Sequence, residues 1–270
     1  MSGYLIADEK LGYWLKRILP HVYHLHFEDP YQLAMHFLRA QEFYESPKFA
    51  DKIFTLVEYM EWYAKEHGNG VFDYMKTWSG FNVPSWALLG VFCSELPDKN
   101  KYDILMEAIL ARHILPAEKK DWREILAAAP RNTCSPTYDT AEYLKAIEHP
   151  FYLIGTSSKG YKGDEDEESV LDHEIAHALY ETDKGYKKDV EVLLSSLGKD
   201  KYLQENPYYL AWHTLAKEGY HERTIRDEIH AYASTGAHAF GLEKILTKQV
   251  CRPFEENFKK HKKRLLGKGS

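Results

Sequence analysis

The stretch at 170–180 constrains this chain most, because it places His173, Glu174 and His177 in the order His-Glu-x-x-His. Four residues make about one helical turn, so on a helix the two imidazoles share a face. Two imidazoles so placed can hold one zinc ion, and the glutamate beside them can activate a bound water. The neighbours favour a helix: Ser169 can cap it, the acidic run 164–168 suits its positive end, and neither Pro nor Gly interrupts it. Val170, Leu171, Ile175, Ala178 and Leu179 give it a face to bury. The bland alternative is a buried helix with two incidental histidines.

A zinc site of this kind needs a third ligand, and two candidates stand downstream. Asp183 lies six residues after His177, the position used when the pattern continues as His-x-x-Gly-x-x-His or Asp. Its turn glycine is replaced here by Tyr180, which reaches positive φ only at a cost. Glu228, 51 residues beyond His177, sits in Thr-Ile-Arg-Asp-Glu-Ile-His-Ala-Tyr-Ala at 224–233, which reads as a second helix and makes it the stronger candidate. His230 falls on the wrong face of that helix to share the metal. Asp172 and Asp227 flank ligand residues and can accept a hydrogen bond from an imidazole N–H.

His173-Glu174-x-x-His177 followed by a helical Glu228 resembles the gluzincin metallopeptidases, and the long spacer is most similar to toxin-type members such as the anthrax lethal factor group. The resemblance spans about 150–240, and two motif segments carry it. It implies a zincin-like domain with one Zn2+ per chain held by His173, His177 and Glu228, with Glu174 as general base and a protein or peptide as substrate. It also implies a tyrosine shortly before the ligand glutamate that stabilises the oxyanion. Tyr220 is the first choice, with His221 and Tyr232 competing. A zinc hydrolase acting on other bonds and a zinc-binding or interaction protein without turnover are the alternatives.

The rest of the chain supplies the setting. At 270 residues it can bury a large core, as one domain or two lobes. A net charge of −6 argues against non-specific nucleic-acid binding. No apolar run reaches membrane-spanning length and the start lacks a secretory pattern, so a cytoplasmic location is expected, with export as an effector the other reading. Cys93, Cys134 and Cys251 read as free thiols.

The expected fold is mainly α (α+β): a helical, aromatic-rich part at 1–140, then a catalytic part at 141–270 with a small sheet and a basic C-terminal helix. Residues 10–70 read as mostly helical, Leu11, Trp14, Leu15 and Ile18 having helical spacing. His21, His24, His26 and His36 cluster here: the x-His-x-His spacing of His24 and His26 can bind metal from a strand, but Pro20 and Asp29-Pro30 place that pair in a loop, and His36 falls in an amphipathic segment at 31–44. The aromatics at 71–90 read as core or as a substrate wall. Helices are expected at 101–115, 121–129, 186–197 and 206–217, with a linker at 130–136 and a boundary near 135–150. A buried strand is expected at 149–156, and by resemblance it is the edge on which an extended substrate lies. The acidic loop before the metal helix caps it, with calcium binding a weaker reading. The run at 259–264 reads as a solvated basic end.

Overall fold

The computed structural model describes residues 4–76, 78–118, 150–159, 166–199, 205–236 and 239–267. Three strands open the chain: β1 (Tyr4–Asp8), β2 (Tyr13–Leu19) and β3 (Val22–Phe27), each antiparallel to the next. This corrects the helix expected from Leu11, Trp14, Leu15 and Ile18. Tyr13 and Leu15 are buried two apart, a strand period, and a register shift between Arg17 and Leu19 delivers Leu19 to a different core. Pro20 and His21 make the turn into β3, His21 taking a left-handed φ of 62°.

β5 (Tyr152–Ser157) pairs parallel with β3 and antiparallel with β4 (Phe81–Pro84), giving the order β1-β2-β3-β5-β4. The strand expected at 149–156 is therefore present but interior, and the edge beside the metal helix is β4. Alternation across the central strands divides the core. Tyr23, Leu25, Phe27 and Leu153 join one cluster with helices α1 (Pro30–Glu45), α2 (Leu56–Glu66), α3 (Ser85–Phe92) and α4 (Lys101–Ile109). Val22, Tyr152 and Ile154 join the other with α5 (Glu167–Thr182), α6 (Lys184–Leu197), α7 (Pro207–Lys217), α8 (Glu222–Thr235) and α9 (Lys248–Leu266). At Gly155 a Cβ would meet the Phe37 ring at 2.7 Å, so glycine lets α1 close on the sheet.

The fold is mainly helical with one small sheet, an α+β arrangement. The sheet takes strands from both sides of the 135–150 segment. That segment, the helix expected at 121–129, the linker at 130–136, Cys134 and most of the acidic loop lie outside the described residues. Cys93 and Cys251 are free thiols. Among the described residues, no helix is long and apolar enough to cross a membrane.

Two further expectations are corrected. His24 and His26 lie on β3 and not in a loop, leaving His21 in the turn, while His36 lies inside α1 as the amphipathic segment at 31–44 implies. The basic C-terminal run is not a free end: Lys262 pairs with Asp172, Arg264 with Asp183, and Lys260 and His261 with Asp189, docking α9 onto α5 and α6.

Candidate metal centre

α5 begins one turn earlier than a Ser169 cap would set it. Asp166 is the N-cap, its carboxylate accepting the Ser169 N–H at 2.8 Å while the Ser169 hydroxyl answers the Asp166 N–H at 3.1 Å. Ile175, Ala176, Ala178 and Leu179 then face the core, which turns His173 and His177 toward α8. α8 starts after His221, whose ring accepts the Arg223 N–H at 3.2 Å, and buries Ile225 and Ile229. One turn after Ile225, Glu228 is carried to the paired imidazoles.

His173 Nε2 and His177 Nε2 lie 3.2 Å apart. Glu228 Oε2 is 3.7 Å from His173 Nε2, and Glu228 Oε1 is 3.6 Å from His177 Nε2. Three ligands about 2.0–2.1 Å from a tetrahedral zinc would be separated by roughly 3.3 Å, so the triangle has the right size. The Glu228 carboxylate is buried and its Oε2 has no hydrogen-bond partner. An orphaned buried carboxylate is costly, and a cation between the three groups resolves it. The His173 side chain is 19% exposed against 2% for His177, so the triangle opens on the His173 side.

Behind the triangle, Asp227 Oδ2 lies 3.0 Å from His177 Nδ1 and Asp227 Oδ1 lies 2.9 Å from His230 Nδ1. Neither contact runs along a ring N–H. Burial alone would push the His177 imidazole toward its neutral form, but Asp227 and Glu228 outweigh it and raise the pKa to about 10. The surplus of carboxylates around these rings is the electrostatic setting of a cation site. His230 is fully buried and stacks on Tyr180 at 4.7 Å, behind the ligands.

Glu174 is not one of the three converging groups and is held from the sheet. Asn82 Nδ2 on β4 donates to Glu174 Oε2 at 2.7 Å, and the Tyr152 hydroxyl donates to Asn82 Oδ1 at 2.6 Å. The Asn82 N–H donates to Gln41 Oε1 at 3.2 Å, so part of the β4 edge is already engaged. A Cβ on Gly80 would meet Glu174 Oε1 at 2.6 Å and Val170 at 2.7 Å, so only glycine leaves this space. Burial raises the Glu174 carboxyl above its usual range. On α1, Glu45 accepts from Gln41 at 2.6 Å, and burial together with Glu228 pushes its carboxyl well up.

The structure brings His173, His177 and Glu228 together, with Glu174 on the same helix. Asp183 is elsewhere: its carboxylate accepts the Gly185 and Tyr186 N–H groups at 2.8 and 2.9 Å as the cap of α6 and pairs with Arg264. Asp172 is turned to Lys262 and does not support an imidazole. The Tyr220 and Tyr232 hydroxyls are 3.4 Å apart, and the Tyr232 ring lies 4.6 Å from that of His173. His221 is committed to the helix cap. Asn82, Gly80 and Gln41 have no sequence signal of their own, since their role depends on a sheet that brings β4 beside α5. No family model, no curated protein and no solved structure matches this chain.

Proposed function

We propose that this chain is a zinc-dependent peptide hydrolase. The observation that supports the reading is the convergence of His173, His177 and a buried Glu228 whose Oε2 has no hydrogen-bond partner, at tetrahedral spacing, beside a glutamate that is not a ligand. Zinc held by these three residues supplies a Lewis acid for the scissile carbonyl and brings the pKa of water near neutrality. Glu174 takes the proton of the attacking water and returns it to the leaving nitrogen. Asn82 fixes one oxygen of that carboxylate and leaves the other, facing Gly80, for the proton. Tyr220 and Tyr232 are the hydroxyl donors available to the developing oxyanion.

The test compares zinc content and peptide-library cleavage in wild type, Glu174→Gln, Glu228→Ala and Asp183→Ala. Glu174→Gln should keep its zinc and its fold while hydrolysis falls by about 10²–10⁴-fold. Glu228→Ala should lose one equivalent of zinc and Asp183→Ala none. Zinc bound without cleavage of any peptide would leave a zinc hydrolase of another class or a binding protein. Turnover retained in Glu174→Gln would refute the general-base assignment.

A further inference from the structure

The face of the sheet that carries α5 also holds a cluster that the proposed hydrolase does not use. On β3, His24 and His26 are two apart and so project to the same side, where both are buried. Thr156 on β5 and Glu167, in the first turn of α5, complete the group. His24 Nε2 lies 2.6 Å and His26 Nδ1 lies 3.1 Å from Thr156 Oγ1, which donates to Glu167 Oε1 at 2.9 Å. His26 Nδ1 is itself 2.8 Å from Glu167 Oε1. One nitrogen from each ring and one carboxylate oxygen lie within 4.8 Å of one another.

The surroundings hold these donors in position. The Trp14 ring stacks on His26 at 4.9 Å with a 12° interplanar angle and meets His24 edge-on at 4.8 Å. The two imidazoles stand perpendicular, at 89°. Ser158 Oγ lies 3.0 Å from His26 Nε2, so that nitrogen is occupied and Nδ1 is the one turned to the cluster. A metal-binding imidazole characteristically has its second nitrogen engaged in this way. The Glu167 side chain is 40% exposed, which leaves an approach from solvent.

We propose that His24, His26 and Glu167 form a second site for a divalent transition ion of the zinc class. Two imidazole nitrogens and one carboxylate exclude a hard ion such as calcium or magnesium, which takes oxygen ligands, and suit a borderline ion. One carboxylate against a divalent charge leaves room for water or the Thr156 hydroxyl as a further neutral ligand. Because the ligands come from β3 and from the first turn of α5, the ion ties the start of the His-Glu-x-x-His helix to the sheet. The site stands whether or not the first one hydrolyses peptides.

The experiment is zinc titration of the demetallated full chain with elemental analysis, in wild type, His24→Ala/His26→Ala, Glu167→Gln and His173→Ala/His177→Ala. Wild type should bind two equivalents and each double variant one. Glu167→Gln, an exposed isosteric change that leaves the fold intact, should weaken one equivalent by at least tenfold. A single equivalent lost only in His24→Ala/His26→Ala would support this site and refute the first. Unchanged zinc binding in Glu167→Gln, or in a folded His24→Ala/His26→Ala protein, would overturn the inference and leave a hydrogen-bonded network around Thr156.

Discussion

In the proposed hydrolase the carboxylate that shuttles a proton must be held in one orientation, and for Glu174 the group placed to do so is Asn82. The amide donates at 2.7 Å to Glu174 and is itself oriented by the Tyr152 hydroxyl. Removing the donor leaves a buried carboxylate free to rotate. Asn82→Ala should therefore keep zinc content while lowering peptide turnover by about 10–100-fold, the scale of lost hydrogen-bonded support around a metal site. Steady-state kinetics beside metal analysis checks it, and loss of zinc in proportion to activity would place Asn82 in metal binding. The pairing of His173 with His177 was legible because four residues is a local spacing. Glu228 was legible because its own surroundings are helical. Asn82 is 92 residues from Glu174 along the chain, and no periodicity links them.

Between elements, the alignment of α8 with α1 depends on Arg223. Its guanidinium donates to the Tyr44 carbonyl at 2.9 Å, the Phe43 carbonyl at 3.0 Å and Asp51 at 2.7 Å. A cation on the last carbonyls of α1 also meets the negative end of that helix. These contacts are partly exposed, so their worth is below that of a buried pair. Arg223→Ala should cost about 1–2 kcal/mol, read as a lower denaturant midpoint at unchanged slope. It should also weaken zinc binding, since α8 carries Glu228. At this scale legibility was uneven. α1 reads from the amphipathic pattern of 31–44 and α7 from Asn206-Pro207 at its start, whereas Asp183, read as a candidate zinc ligand, proves to be the cap of α6. β2 was not legible, because Trp14, Leu15 and Ile18 have a helical spacing that pairing with β1 and β3 overrides. Reading β3 as a loop set aside the face that His24 and His26 share on a strand.

Across the whole molecule, one sheet separates two cores, and the core built around α1 contains a buried ionisable group that is not among the candidate metal ligands. Glu42 is buried, with the Tyr74 hydroxyl donating to it at 2.7 Å and Tyr59 and Ser46 as further donors. Burial outweighs these donors and raises the carboxyl from 4.5 to about 7. A carboxyl with a raised folded-state pKa keeps its proton after the unfolded chain has lost it. The folded state then binds more protons between about pH 4.5 and 7, so this group's contribution to stability falls as pH rises through that window and is level above it. At about 1.4 kcal/mol per pKa unit the decline amounts to about 3 kcal/mol. Glu42→Gln keeps the shape of the protonated form and cannot ionise. Urea denaturation of the two proteins should give similar stabilities at about pH 4.5, with the glutamine variant the more stable by that amount at about pH 8. Because every other titrating group is common to both proteins, the difference isolates Glu42, and parallel pH profiles would show that its carboxyl is ionised in the core.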